Sequence, residues 1–270
     1  MEAHIYDHSK KAGNRGDVWK HFVLLTVVEG LVKSSSAATA ARFIYRETHA
    51  GAGRFCLREK GEWRLGVGSI LPPSAVLRTH PYFQIIGESI EPGDTYPSSW
   101  EFVGRFLEDR RLSFRMKLTD NSLDVEDAIS ERRKSGDLWP SVHFDRADGF
   151  QELAASQPAG LTLIDPPFTP ARQDWRRCRA AIDELGQRAE EYLIWYPVYW
   201  PTEPCKLVSA SGTSGFEVIW APIGNKPSQN PKGCGVLAGG ATSELLRASK
   251  VQLQELASLL SGRLVIRCCS

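Results

Sequence analysis

An aspartate, two prolines and a phenylalanine close an apolar run at Asp165, Pro166, Pro167 and Phe168, in the stretch LTLIDPPFT. A carboxylate oxygen and a backbone carbonyl whose direction is fixed by a proline ring make a pair of hydrogen-bond acceptors. An exocyclic amine presents two N–H donors. Asp165 and the Pro166 carbonyl match both and would turn the amine lone pair toward an electrophile. Phe168 offers a ring face on which the heterocycle carrying that amine can stack. The same tetrapeptide also reads as a strand terminator with Phe168 in the core, since proline ends a buried strand.

Three more loops carry candidate groups, each after an apolar, strand-like run. ETHAGAGRF, residues 47–55, holds His49, Gly51 and Gly53. Glycines there let a backbone approach a ligand. The loop has neither the third glycine of a dinucleotide fingerprint nor the Lys-Ser/Thr end of a phosphate loop, and a tight turn explains it as well. Asp120 follows the run RMKL; an acid at that place can hold both hydroxyls of a ribose or cap the helix SLDVEDAIS. Asp148 and Gly149 could meet an adenine edge with a carboxylate and a backbone N–H, or turn the chain into the next helix.

The elements that must position these loops alternate. Strands are expected at ARFIYRE, LSFRMKL, SVHF, LTLID and YLIWYPV, with FEVIWAP and GCGVLAG as later candidates. Helices are expected at VWKHFVLLTVVEGLVKS with Asp17 as its cap, SSWEFVGRFLED, SLDVEDAISERRK, DGFQELAAS, ARQDWRRCRAAIDELGQRA and SELLRASKVQLQELASLL, while residues 1–16 read as a loop. This alternation predicts an α/β fold with a parallel or mostly parallel sheet covered on both faces. Its ligand loops then share the rim at the carboxyl ends of the strands. Periodicity breaks down from Cys56 to Pro97, which reads as a small insertion.

Composition excludes several classes. The chain has 270 residues, 42% of them hydrophobic and 24% charged, with a formal net charge of +1. Nothing global draws it to nucleic acid or membrane, so a polyanion site must come from local clustering. The six cysteines include no CxxC pair, so reduced thiols in a cytoplasmic protein are expected rather than a zinc knuckle or disulfide framework. The polar start MEAHIYDHSKK has no apolar leader core, and the run from Phe22 to Val28 is too short to cross a bilayer.

A glycine loop, an acid, an Asp-Gly and a D-P-P-F, in that order and each after a strand, resemble a class I S-adenosylmethionine-dependent methyltransferase acting on exocyclic amines. AGNRGDVWKH, ETHAGAGRF, TYPSS, ADGFQEL, LTLIDPPF and LIWYPV together resemble the RlmJ family, which methylates N6 of an adenine in 23S ribosomal RNA. The match runs from about Tyr6 to the final helix. It implies a Rossmann-like methyltransferase domain formed by residues 1–55 and 98–270, interrupted by a small helical subdomain at 56–97. It implies S-adenosyl-L-methionine as cofactor, lined by Lys20, His21, His49, Gly51, Gly53, Ser99, Asp120 for the ribose, Asp148 and Gly149 for the adenine, and Asp165. Asp165 would be the catalytic acceptor, with Pro166 and Phe168 beside it and Tyr6 near the target base. The family usually has Tyr where this chain has Phe168, and Glu where it has Asp120.

Transfer would be direct and in line to a base removed from its stack, with no metal. The rRNA partner needs local positive charge. Lys10 and Lys11, with Arg15, are the first candidates. Arg58, Lys60 and Arg64 follow, while the run Arg132, Arg133 and Lys134 reads as a solvated helix end. A monomer is expected. Methyl transfer to DNA adenine N6 or rRNA guanine N2, or binding of RNA without turnover, are the alternatives.

Overall fold

A computed structural model of the chain describes residues 8–34, 42–155, 157–168, 173–199, 213–221 and 231–268. Tyr6, Cys205 and Cys269 lie outside the described residues. The chain enters through a short helix α1 (His8–Lys11) and a long one, α2 (Arg15–Ser34). Then follow β1 (Phe43–Glu47), β2 (Arg54–Cys56), two short 3-10 turns (Glu62–Leu65 and Val67–Ser69), α3 (Pro81–Ile86), β3 (Thr95–Pro97) and α4 (Ser99–Asp109). The units β4 (Phe114–Asp120), α5 (Leu123–Lys134), β5 (Val142–Arg146), α6 (Gly149–Ala155), β6 (Leu161–Ile164), α7 (Gln173–Gln187) and β7 (Tyr192–Val198) alternate as expected. β8 (Ser214–Trp220), β9 (Gly233–Gly239), α8 (Thr242–Ala248), α9 (Lys250–Leu259) and β10 (Gly262–Arg267) complete the described elements.

The main sheet runs in the order β10-β8-β9-β7-β6-β1-β4-β5. Strands β7, β6, β1, β4 and β5 are parallel, whereas β9, β8 and β10 are added antiparallel. From β1 the chain winds outward through β4 to β5, then returns to the other side of β1 with β6. The crevice between β1 and β6 is therefore the place where strand order reverses, where open α/β sheets bind ligands.

Each face of the sheet has its own apolar layer. Along β7, Tyr192, Ile194, Tyr196 and Val198 pack with Cys178, Ala181, Ile182 and Leu185 of α7. The alternate residue Leu193 belongs to the other layer, around α2, as the two-residue period of a strand requires. Helix α2 is buried nearly all round from Val18 to Val28, because it is packed by α3, α4, α8 and β9. A helix so enclosed is apolar on every side, which makes the two ionisable residues of this stretch, Lys20 and His21, conspicuous.

Strands β2 and β3 pair antiparallel, Arg54 opposite Pro97 and Cys56 opposite Thr95. The segment between them docks on α2: His80 stacks on Phe22 at 3.6 Å and its Nε2 lies 3.0 Å from Thr26 Oγ1. Trp63, Val67, Leu77 and Tyr82 join the apolar layer around that helix.

Four expectations need correction. Residues 8–11 and 15–16 are helical, and the cap of α2 is Asn14, whose Oδ1 accepts the Asp17 N–H at 2.9 Å. Asp17 instead sits in the first turn and accepts the Gly13 N–H at 3.1 Å. The last helical stretch is two helices, interrupted at Ser249, whose hydroxyl bonds back to the Leu245 carbonyl at 3.0 Å. Finally, β10 is an edge strand that periodicity had not marked. Cys56, Cys178, Cys234 and Cys268 carry no disulfide. Among the described residues no helix is long and apolar enough to cross a membrane.

Candidate active site

The four loops meet at one rim, stitched by backbone hydrogen bonds. The Thr48 N–H donates to the Leu163 carbonyl at 3.1 Å and the Ala50 N–H to the Thr119 carbonyl at 3.1 Å. The Gly51 N–H donates to Asp120 Oδ2 at 3.2 Å. The Ala147 N–H donates to the Asp120 carbonyl at 3.1 Å. These bonds tie the loops after β1, β4, β5 and β6 into one floor.

The two loop glycines do different things. Gly51 has φ +64°, and a Cβ there would meet nothing nearer than Phe55 at 3.6 Å. It faces space a ligand can use. Gly53 has φ +98°, and its Cβ would overlap Arg132 and Trp100; it is needed for packing behind the loop. Gly149 is packing-limited too, because a Cβ would overlap the Thr48 carbonyl oxygen.

Asp120 is not the cap of α5, which is Ser122. Its Oδ1 accepts the Ser122 N–H at 2.9 Å and its Oδ2 the Gly51 N–H, so the carboxylate is held at a fixed angle with acceptor capacity to spare. Asp148 does cap a helix: its Oδ1 accepts the N–H groups of Phe150 and Gln151 at 3.0 and 3.2 Å and pairs with Arg177. Partial burial works against its charge, but Arg177 and those N–H donors outweigh it and hold the carboxyl below the usual range. His49 lies 2.8 Å from Thr48 Oγ1 and edge-on to Phe150. Burial lowers its pKa against the pull of Asp165 and Asp120, so it is a neutral imidazole.

Lys20 and His21 are neighbours on α2 and diverge, as consecutive helical residues must. Lys20 Nζ bonds Asp165 Oδ2 at 2.7 Å and lies 3.3 Å from Asp17 Oδ1. Burial opposes its charge, but Asp165, Asp17 and Glu47 outweigh it and keep the ammonium protonated. His21 turns to Tyr96, its Nδ1 3.1 Å from the phenol oxygen, and to the Phe102 ring at 4.8 Å. Burial, reinforced by Lys20, keeps it neutral, and its Nε2 has no partner.

Asp165 projects from the end of β6 with its side chain 16% exposed. Pro166 is buried and Pro167 exposed. Phe168 is 8% exposed, adopts φ +47°, and packs on Trp175 and Trp195 at 4.7 and 6.2 Å. A left-handed backbone at a non-glycine residue costs about 1 kcal/mol, here spent where the candidate acceptors are aimed. Lys10 and Lys11 are exposed on α1, which rests against β2 and the first 3-10 turn.

Three participants were not anticipated. Glu47, fully buried at the end of β1, accepts the Tyr45 hydroxyl and the Ser99 hydroxyl at 2.7 Å each. Ser99 is therefore placed by an acid lying beneath the rim. Burial pushes the Glu47 carboxyl up to about 8, against those two hydrogen bonds and Lys20. The signal was present, since Glu47 ends its strand as Asp120 ends another. Trp195 on β7 touches both halves of the site, with Lys20 5.8 Å and the Phe168 ring 6.2 Å from its ring centroid. Arg132 is not solvated, as its charged run had suggested. It is 13% exposed, stacks 5.0 Å from the Trp100 ring and binds the buried Glu101 at 2.8 Å. Among the described residues no group of His, Cys, Asp and Glu could hold a metal ion.

The family model described as ribosomal RNA large subunit methyltransferase D, RlmJ, matches residues 40–240. Ribosomal RNA large subunit methyltransferase J of Escherichia coli (strain K12) is 31% identical over 208 residues, 72% of this chain and 70% of that protein. The protein of the same name from Haemophilus influenzae is 27% identical over 246 residues, covering 84% and 83%. The crystal structure of protein LPL1258 from Legionella pneumophila superposes with a TM-score of 0.72 at 21% identity, covering 96% of this chain and 98% of that one. That likeness establishes the fold from one end of the described chain to the other.

Proposed function

The chain belongs to the RlmJ family of ribosomal RNA large subunit methyltransferases, and on that premise we propose that it methylates N6 of an adenine in 23S rRNA. S-adenosyl-L-methionine, when bound, supplies an electrophilic methyl group on a sulfonium. The residues at the β1–β6 crevice suit that donor. Gly51 leaves open space above the loop, Asp120 offers an oriented carboxylate to the ribose diol, and Asp148 with Gly149 lies where the adenine edge would be read. Asp165 adds negative charge on the side where a sulfonium and an ammonium must be accommodated. His49, His21 and Ser99 complete the pocket in this reading.

Asp165 and the Pro166 carbonyl accept the two N6 hydrogens of a base brought into the crevice. The lone pair is thereby aimed at the methyl carbon. With the donor held there, N6 would take its methyl group, displacing the sulfonium sulfur, and would then release one proton to solvent. Lys20 fixes the carboxylate in the acceptor orientation, so orientation and placed charge carry the rate enhancement. Phe168 supports the base from the adjoining loop. Tyr6, Lys10 and Lys11 are assigned to the RNA side, and the enzyme acts as a cytoplasmic monomer.

The observation that carries this reading is the Lys20–Asp165 contact, which joins the AGNRGDVWKH element to D-P-P-F at the crevice. The experiment is transfer from labelled S-adenosyl-L-methionine to unmodified 23S rRNA, followed by nucleoside digestion. Label is expected in N6-methyladenosine for the wild type and in no nucleoside for Asp165→Ala. Label in N2-methylguanosine, or undiminished transfer by the variant, would overturn it.

A further inference from the structure

The rim has two halves of opposite character. Its parallel half presents Asp120, Asp148 and Asp165, beside the crevice where a cationic donor suits the field. The antiparallel half continues the same edge beyond β7. There the strand ends are stitched in a row: the Lys232 N–H donates to the Val198 carbonyl at 2.7 Å, the Trp220 N–H to the Lys232 carbonyl at 2.9 Å, and the Ala221 N–H to the Ser261 carbonyl at 2.8 Å. Gly262 pairs with Trp220 and Arg263 with Ile219, so β10 begins at this rim. None of Val198, Tyr199, Trp220, Ala221, Lys232, Ser261, Gly262 and Arg263 is acidic.

Trp220 joins the layer around α2, whereas Arg263, opposite Ile219, projects from the other face of the sheet. Tyr199 is 44% exposed. Lys232 and Arg263 are exposed, and Trp220 is half-buried. Arg15 comes from the start of α2 to lie 4.9 Å from the Trp220 ring centroid, with its NH1 3.3 Å from the Leu260 carbonyl. Arg15 thus parts company with Lys10 and Lys11, whose helix rests against β2. Four strand ends at about 4.8 Å spacing span about 14 Å, the length of a short run of nucleotides leading to the crevice. A cationic track interleaved with aromatic rings is how proteins hold single-stranded nucleic acid: cations take phosphates and rings take bases.

We infer that this half-rim, from Tyr199 through Lys232 and Trp220 to Arg15, binds the single-stranded RNA that flanks the target nucleotide. The inference rests on the RNA-methylating reading above and adds the path of the strand.

The test uses the full chain, an unmodified 23S rRNA transcript and two variants, Lys232→Glu/Arg15→Glu and Tyr199→Ala. Binding is measured across salt concentrations, with S-adenosyl-L-methionine affinity and melting temperature as controls. The double variant is expected to bind RNA at least about tenfold more weakly at low salt. Its plot of log affinity against log salt should be shallower by about 1.4, or about 0.7 for each phosphate no longer neutralised. Tyr199→Ala is expected to lose about tenfold with the slope unchanged, since stacking releases no counterions. If the double variant melts early, Lys232→Gln/Arg15→Gln reads the same slope change. Variants that bind RNA within about twofold of a wild type that binds and methylates normally would overturn the path alone. A wild type that binds no rRNA would overturn the functional reading and the path together.

Discussion

Lys20 Nζ lies 2.7 Å from Asp165 Oδ2, joining residues 145 positions apart in the sequence. Asp17, one turn earlier on α2, shares the same ammonium at 3.3 Å. One cation therefore serves two carboxylates on the floor of the crevice, and its removal leaves both uncompensated. Lys20→Met is expected to lower kcat about 100-fold, with little change in KM for the methyl donor. The fold should lose about 2 kcal/mol, less than a fully buried pair because both partners keep some solvent. Lys20→Arg should not restore the rate, since a planar fork cannot replace a compact ammonium between two acids. A Lys20→Met enzyme with normal kcat would show that Asp165 is oriented by its own loop alone.

The glycines around the rim predict an order of damage. Gly149→Ala would drive a methyl group into the Thr48 carbonyl oxygen, a backbone atom that cannot swing aside as a side chain could. Gly53→Ala meets Arg132 and Trp100 and also a φ of +98°. Gly51→Ala meets only its φ of +64°, a cost of about 1 kcal/mol. Melting temperatures should fall in the order Gly149→Ala, Gly53→Ala, Gly51→Ala, largest loss first. Gly51→Ala should nevertheless weaken S-adenosyl-L-methionine binding, measured by calorimetry, because its Cβ enters the open space.

Glu101 holds the back of the glycine loop. Its buried carboxylate takes Arg54 at 2.7 Å, Arg105 at 3.1 Å and Arg132 at 2.8 Å. Removing it strands Arg132 against Trp100 and Gly53. Glu101→Ala is expected to cost about 3–5 kcal/mol, as when one partner of a buried ion pair is deleted. Urea unfolding would measure it; a loss below about 1 kcal/mol would show that Asp137, which also contacts Arg54 and Arg132, suffices.

The parts of this architecture that showed in the sequence are those with a period or a loop signature. The strands β1, β4, β5, β6 and β7 alternate with helices, so the shared rim and the placement of Gly51, Asp120, Gly149 and Asp165 on it followed from topology. Strands β2 and β3 are three residues long, too short for a two-residue period to register. β10 reads Leu264, Val265, Ile266 in succession, which marks neither face. Trp195 lies in a strand apolar on both sides, where pattern alone cannot say that it meets Lys20. Arg132 shows the limit of charge patterning: Arg132, Arg133 and Lys134 are alike in sequence, and only the position of Glu101 on α4 selects the first for burial.

The raised carboxyl of Glu47 makes a pH prediction. Burial moves its pKa from 4.5 to about 8, while Tyr45 and Ser99 donate to it and Lys20 attracts it. An acid whose pKa is higher folded than unfolded binds its proton more tightly in the folded state. Its contribution to stability is fully present below about 4.5 and is lost as pH rises toward about 8. Glu47→Gln removes that titration and keeps an oxygen to accept one of the two hydroxyls. The difference in melting temperature between variant and wild type should shift toward the variant from pH 5 to pH 8 and stop changing above that. A difference that stays flat across the range would mean that Lys20 keeps Glu47 ionised throughout, and would place a second fixed negative charge beneath Ser99.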